Sequence, residues 1–298
     1  MEFDLIAYIH SQVKSDSSVI QGIGDDAAVV KLPQNTQLVV STDTLVANRH
    51  FDDLATARQI GHKSLAVNLS DLAAMGATPR WITLNLTLPE IDMEWMKSFI
   101  SGFIDLADKY KVNLIGGDTT QGPLSISVTV FGEVEDSQYL TRSGAKRGDL
   151  IAVTGEIGSA AYALDNRKSS LVSELYTPEP QIDISQKIKS FAHSCIDISD
   201  GLLADLQHIC THSKLGAKIS LEQIPVNNSM KSNCPNWSRY VLSGGDDYQL
   251  CFTFAAQDID KLPSDCSIIG QMGCGDSVKI FSNNQEIQHS NKGFIHFN

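Results

Sequence analysis

Six short motifs in this chain set an aspartate beside glycines or small hydroxyl residues. They are Gly22-Ile23-Gly24-Asp25-Asp26, Ser41-Thr42-Asp43-Thr44, Asn68-Leu69-Ser70-Asp71, Gly116-Gly117-Asp118-Thr119-Thr120, Asp197-Ile198-Ser199-Asp200-Gly201 and Ser243-Gly244-Gly245-Asp246-Asp247. Glycine admits sharp turns and close ligand approach, and the ends of helices and strands are where sites are usually built. Carboxylates gathered in one place repel one another unless cations sit among them. Ligand sets made only of oxygen suit hard cations, and Mg²⁺ in particular is shared between one or two carboxylates and substrate phosphates. Any one of these motifs also reads as ordinary Asp-Gly turn chemistry, and Asp200 also reads as a helix cap. Six of them in one chain favour a cation-bridged phosphate site. Asp71 is the hardest to assign to a turn, because Asp is a poor helix-interior residue and the segment around it is largely apolar.

Positive charge is placed to match. Thr141-Arg142-Ser143-Gly144-Ala145-Lys146-Arg147 clusters three cations, and the fork of Arg142 suits a phosphate, although a solvated basic turn reads equally well. His50 follows the Asp43 motif and is placed for a substrate phosphate or for a structural role. His208 and His212 have a spacing that can bind zinc, but Ile209 stands where HExxH needs Glu, which favours a solvated helix face. No GxxxxGK[ST] loop occurs. Gly22-Ile23-Gly24 is followed by two acids that would repel a pyrophosphate, so a Rossmann site is not expected. No Ser-His-Asp arrangement or G-x-S-x-G elbow is marked. A bound triphosphate would therefore be held through metal.

The elements that must position these residues follow from periodicity. Helical spacing predicts a first helix over about 2–14, a long one over 54–75 with Leu54, Ile60, Leu65, Leu69 and Leu72 on its apolar side, and another over 92–111. Gly76 fits the stop of the second and Pro79 prevents its continuation. Strands are expected at 38–43, through Ile82, Leu84, Leu86 and Leu88, and through Leu124, Ile126, Val128 and Val130. The polar stretch from Glu133 to Gly148 sets an expected domain boundary near residue 138, giving domains 1–138 and 139–298. A buried strand at Leu150-Ile151-Ala152-Val153 reopens the pattern, followed by an Ala-rich helix after Gly155 and Gly158, helices at about 181–192 and 201–213, then mostly strand and loop. Strands joined by long helices indicate an α/β or α+β layer architecture.

Composition narrows the partners. The 298 residues suit two domains of ordinary size. With 35 acidic against 23 basic side chains and a net charge of −12, nucleic acid is not an expected partner, since phosphate neutralisation needs clustered Lys and Arg. No apolar run approaches the ~20 residues that cross a bilayer, and the acidic start Met1-Glu2-Phe3-Asp4 lacks the basic region of a signal peptide. A cytoplasmic protein is expected. All six cysteines lie between residues 195 and 274, with no CxxC pair, which favours reduced thiols that serve as packing residues.

The series GIGDDAAVV, STDTLVANRHF, HKSLAVNLSDLAAMGATPRW, LIGGDTTQGPLS, LTRSGAKRGD, CIDISDGLLADL and SGGDDYQLCF, in this order, resembles the thiamine-monophosphate kinase family. That family belongs to the superfamily of aminoimidazole ribonucleotide synthetase and selenophosphate synthetase. The resemblance runs from about residue 3 to Phe297. It implies a two-domain α+β, aminoimidazole ribonucleotide synthetase-like fold. The N-terminal domain would form a barrel across a homodimer, and the ATP site would lie in the cleft between domains. It implies the last step of thiamine diphosphate biosynthesis, in which ATP phosphorylates thiamine monophosphate with the help of several Mg²⁺ ions. Residues matching the family's metal ligands are Asp26, Ser41, Thr42, Asp43, Asp71, Asp118, Asp197 and Asp200. Those matching its ATP contacts are Gly117, Asp118, Arg142 and Ser199, and His50 matches a substrate contact. Asp246 stands where the family usually has Glu at a substrate-binding position. Lys292-Gly293-Phe294 resembles an element that touches the thiamine ring, with Phe294 able to stack but lacking a tyrosine hydroxyl. No general base is expected, since a phosphate monoester with a second pKa near 6 is already mostly dianionic at pH 7. Two other readings stay open: another ATP-using synthetase of the superfamily, and a non-enzymatic nucleotide- or metal-binding sensor.

Overall fold

The computed structural model describes residues 2–289. Its chain clusters into two compact units, one of residues 1–72 and 77–137, the other of 73–76 and 138–298.

The first unit runs α1 (Glu2–Gln12), β1 (Val19–Gln21), β2 (Val29–Val30), β3 (Thr36–Val46), α2 (Ala57–Ala74), β4 (Thr78–Leu88), α3 (Met93–Tyr110), β5 (Asn113–Gln121) and β6 (Ser125–Glu135). Four of these strands form a sheet in the order β3-β6-β4-β5. Only β4 and β5 are parallel, and α3 makes the crossover between them. On β6, Ile126, Val128, Val130 and Val134 are buried while the intervening residues are half-buried, the period-two pattern of a sheet with one covered face. Helix α2 is buried along most of its length, with Leu65, Leu69 and Leu72 fully enclosed. It starts at a reciprocal capping box: Thr56 N–H and Oγ1–H donate to Gln59 Oε1, and Gln59 N–H donates to Thr56 Oγ1. The box explains why the helix begins after Leu54, which the periodicity had placed on its apolar side; Leu54 is 63% exposed. At the other end Gly76 takes φ +71° and the Ala77 N–H returns to Leu72 O, a Schellman-type stop. Asp92 caps α3 by accepting from the Glu94 and Trp95 N–H groups.

The second unit runs β7 (Leu150–Thr154), α4 (Ser159–Asp165), α5 (Val172–Tyr176), α6 (Ile182–Ile188), β8 (Ala192–Asp197), α7 (Leu202–Ser213), β9 (Gly216–Ser220), α8 (Asn228–Asn233), α9 (Ser238–Ser243), β10 (Leu250–Phe254), β11 (Cys266–Gly273), β12 (Val278–Ser282) and β13 (Gln285–Ile287). Seven strands make one sheet in the order β13-β12-β9-β11-β7-β10-β8. Its centre, Ile151, Ala152, Val153, Phe252 and Phe254, is fully buried. Two short helices, α8 and α9, occupy a stretch whose polar composition reads as loop.

The largest departure from the periodicity concerns Gly116-Gly117-Asp118-Thr119-Thr120. Two adjacent glycines after two apolar residues read as an element end. The segment instead continues β5, paired in parallel to β4 with Gly117 opposite Leu84 and Asp118 opposite Asn85. Gly117 is required there twice over. Its φ is +154°, and a Cβ would lie 1.9 Å from Leu84 O.

Candidate functional site

Strand β3 and helix α2 build the best-defined part of the site. Alternation along β3 turns Ser41 and Asp43 toward α2 and Thr42 away from it. Ser41 Oγ–H donates to Asp71 Oδ2 at 2.5 Å, and the Asp43 N–H donates to Asn68 Oδ1 at 2.9 Å. Asn68 and Asp71 are three residues apart on a helix and therefore share a face. Asn68 is itself fully buried and anchored by Nδ2–H donation to Ser64 O. The two motifs are thus brought into contact across 30 residues. Thr42 is separated from them: its Oγ1–H donates to Val128 O and accepts from Thr129 Oγ1 on the opposite face of the sheet.

His50 follows in the turn after β3. Its Nδ1 accepts the Val46 N–H at 3.0 Å, which places the ring proton of the neutral form on Nε2. The His50 N–H returns to Val46 O, and the buried Lys63 donates from Nζ to His50 O.

Asp26, Gly117 and Asp118 come together elsewhere in the first unit. They line a cavity of about 420 Å³ whose apolar walls include Ile6, Ile9, Leu84 and Leu114. Asp118 sits on β5 at one edge of the sheet and Asp43 on β3 at the other, so within one copy three strand spacings, roughly 14 Å, separate them. Within one copy the two carboxylates therefore do not share a cluster. Among the described residues no group of three or more His, Cys, Asp or Glu side chains is close enough to hold a metal ion.

The second unit carries the remaining candidates on neighbouring loops. Asp197 ends β8 and is 4% exposed. Ser199 and Asp200 lie in the turn that leads into α7. The next loop lies against that turn: the Asp246 N–H donates to Ser199 O at 2.9 Å, and the Tyr248 N–H donates to Ile198 O at 2.8 Å. Tyr248 also donates its hydroxyl to Asp246 Oδ1. Asp246 adopts φ +67°, a left-handed conformation that Asp tolerates better than most residues. Arg142 is exposed, within electrostatic reach of His208. Partial burial, then the charges of Arg142 and His212, hold the His208 imidazole below its usual range, against the opposing charge of Asp200. Phe294 lies outside the described residues.

Two buried carboxyl groups escaped the sequence reading. Asp205 Oδ2 accepts the Ser199, Asp200 and Gly201 N–H groups, each at 3.1 Å. Burial pushes its carboxyl up to about 7, with the charge of Asp200 adding to the rise and the three donors opposing it. Asp247 accepts from the Gly158 and Ala160 N–H groups at the start of α4. Burial raises its carboxyl to about 8, against the pull of those two donors. Asp205 lies four residues past Gly201 and reads there as an ordinary first-turn acid. Asp247 was visible only as the second member of an Asp-Asp pair.

Comparison with known proteins adds an independent line. Residues 24–134 match the family model described as AIR synthase related protein, N-terminal domain. Over 99% of its length the chain is 40% identical to the thiamine-monophosphate kinase of Buchnera aphidicola subsp. Schizaphis graminum, covering 98% of that protein. The crystal structure of thiamine-monophosphate kinase from Stenotrophomonas maltophilia K279a superposes with a TM-score of 0.88 at 41% identity, over 94% of this chain and 96% of that one. A structure described as AaThiL complexed with AMPPCP and TMP matches with a TM-score of 0.80 at 30% identity, over 99% and 97% of the two chains. The mixed α+β architecture is therefore that of the aminoimidazole ribonucleotide synthetase-like fold, and the chain belongs to the thiamine-monophosphate kinase family.

Proposed function

We propose that this protein is an enzyme that transfers the γ-phosphoryl group of ATP to the phosphate of thiamine monophosphate, giving thiamine diphosphate and ADP. The observation that carries the reading is the likeness, across nearly the whole chain, to curated thiamine-monophosphate kinases. The contact between the Ser41-Thr42-Asp43 and Asn68–Asp71 motifs supports it from the geometry.

The donor set fits Mg²⁺, being built from carboxylate and hydroxyl oxygens. Ser41 Oγ and Asp71 Oδ2, hydrogen-bonded to each other, are oxygen donors of the kind that would hold it. The residues we assign to several such ions, rather than to one, are Asp26, Ser41, Thr42, Asp43, Asp71, Asp118, Asp197 and Asp200. Bound there, Mg²⁺ supplies charge neutralisation between two anionic phosphates, which is most of the work of phosphoryl transfer.

The remaining roles belong to the chain's own groups. The acceptor oxygen of thiamine monophosphate forms the new bond to the γ-phosphorus. The bond from that phosphorus to the bridging oxygen breaks, and its electron pair leaves on ADP. The acceptor is already a dianion at neutral pH, its second pKa being about 6, so no side chain has to remove a proton. His50, its ring fixed by the Val46 N–H at Nδ1, is the residue we assign to a substrate phosphate oxygen. Gly117, Asp118, Arg142 and Ser199 are the residues we assign to ATP, with Arg142 neutralising charge on the transferring group. Asp246 and Phe294 complement the cationic thiazolium by charge and by ring stacking. Residues 1–138 thus contribute most of the metal ligands, and 139–298 contribute Arg142, Ser199 and the thiazolium contacts.

We further read the protein as a homodimer working in the cytoplasm. The outward face of β3 presents Leu38, Val40 and Val46, which are 45%, 52% and 39% exposed, and Phe131 on β6 is the register partner of Val40. A second copy covering that face would remove this apolar surface from water. Among the described residues no helix is long and apolar enough to cross a membrane. Incubation with ATP, Mg²⁺ and thiamine monophosphate, followed by chromatographic separation, tests the activity. Thiamine diphosphate formed stoichiometrically with ADP is expected; ADP without thiamine diphosphate would overturn the reading in favour of another acceptor. Light scattering at micromolar concentration tests the dimer.

A further inference from the structure

Asp205 is 3% exposed and stands in the first turn of α7. One of its oxygens, Oδ2, accepts three consecutive backbone N–H groups, those of Ser199, Asp200 and Gly201. Three successive amides aimed at one point make a nest, a concavity that in other settings receives an anion from outside; here a side chain of the same chain fills it. The residue at the N-cap of α7 cannot tie the turn this way, since Gly201 has no side chain with which to cap the helix. The far side of the same peptides is tied as well. Ser199 O accepts the Asp246 N–H, and a Cβ on Gly245 would lie 2.3 Å from Ser199 O. The peptides carrying Ser199 and Asp200 are thus fixed from below by Asp205 and from above by the 245–248 loop.

We propose that Asp205 is a positioning residue for nucleotide binding: by gathering the 199–201 amides onto one oxygen it holds the Ser199 and Asp200 side chains in the orientation that receives Mg²⁺ and ATP. The proposal rests on the assignment of Ser199 and Asp200 given above. Removing the carboxylate leaves the carbonyl side of the turn tied while freeing its amide side, so the turn loosens locally rather than unfolding with the sheet. Asn in place of Asp keeps an oxygen where Oδ2 now sits and so keeps an acceptor for the amides, without the charge.

The test uses the full chain with Asp205→Ala and Asp205→Asn, three readouts being taken for each. In the ligand-free protein, hydrogen exchange of the 199–201 amides is expected to speed up by about tenfold or more in the alanine variant. Calorimetric titration with AMPPCP in saturating Mg²⁺ is expected to show binding weakened by about 10- to 100-fold, the range seen when a group supporting a ligand-bearing residue is lost. In steady state, KM for ATP is expected to rise in step while KM for thiamine monophosphate stays within roughly twofold. The asparagine variant is expected to recover all three to within about threefold of the parent protein. Nucleotide binding unchanged in the alanine variant, an equal loss on both substrates, or no recovery with asparagine would each overturn the proposal. Should Asp205→Ala fail to fold, Asp205→Ser carries the same expectations. A parent protein that binds AMPPCP but forms no thiamine diphosphate would count against the kinase reading alone, because the exchange and titration readouts still decide the role of Asp205.

Discussion

Replacing Asp71 by Asn separates the proposed chemical role of this carboxylate from its structural one, because the two carry very different magnitudes. Asp71 Oδ2 accepts a 2.5 Å hydrogen bond from Ser41 Oγ. A bond to a charged acceptor contributes about 1.5–3 kcal/mol and a neutral one about 0.5–1.5. Asn presents its own amide oxygen to Ser41, so the substitution costs about 1 kcal/mol of stability. For a unit of this size that lowers Tm by about 2–8 °C. Asp71 is only half-buried, so no cavity opens and no packing contribution is added. Catalysis should respond on another scale. On the assignment proposed above, losing this carboxylate weakens the hold on the Mg²⁺ that would neutralise the two phosphates, and we expect kcat/KM to fall by about 10²–10⁴-fold, or about 2.7–5.5 kcal/mol. The assay follows thiamine diphosphate formation at saturating Mg²⁺, with calorimetric Tm on the same preparation. Activity within about tenfold of the parent protein, at a Tm near the parental value, would refute the ligand assignment. A collapse of Tm would refute the claim that Ser41 tolerates the amide.

Three further outcomes follow from the same structure. Gly117→Ala would place a Cβ 1.9 Å from Leu84 O at φ +154°, so backbone strain and overpacking of about 1–3 kcal/mol each should lower Tm by several degrees and weaken AMPPCP binding; an unchanged Tm would contradict the register of β4 and β5. Asp246→Glu restores the residue usual in the family at a position that accepts from Tyr248, and activity should stay within roughly tenfold, whereas complete loss would show a pocket shaped around the shorter side chain. Burial raises the folded pKa of Asp247 from the ordinary carboxylate range to about 8. The folded state therefore holds a proton that the unfolded state has released, and stability should fall as pH rises from about 4 to 8, by at most about 1.4 kcal/mol per pH unit. Urea midpoints measured across that range should show a flatter profile in Asp247→Asn, and equal slopes in the two proteins would refute it.

Much of the site was legible because its residues carry unusual local chemistry. Asp71 stood out as an acid in an otherwise apolar helix, and the structure shows it tied to Ser41 across 30 residues. The glycine pair before Asp118 marked a backbone peculiarity, but the inferred element end was wrong. A strand that needs φ +154° and no Cβ has the same composition as a turn, and only the approach of Leu84 distinguishes the two. The start of α2 was misplaced because Leu54 fits the helical period, while the Thr56–Gln59 box that sets the boundary is a hydrogen-bonding signal invisible to periodicity. Asp205 was overlooked because acids are common in first helical turns, and nothing in its neighbours announces that three amides converge on it.

From the sequence alone came the chemical inventory: oxygen donors rather than thiolates or imidazoles, an acidic chain without a phosphate loop, and motif blocks in an order that marks one family. These are properties of residue types and local spacing, and they survive any arrangement of the chain. Tertiary structure alone decided which of those residues meet. The alternation of β3 puts Ser41 and Asp43 on the α2 side and turns Thr42 away, and the order of four strands sends Asp43 and Asp118 to opposite edges of one sheet. The physical reason is that a contact between residues distant in the chain depends on strand order, register and which face is buried, and all three are settled by the packing of the whole unit at once.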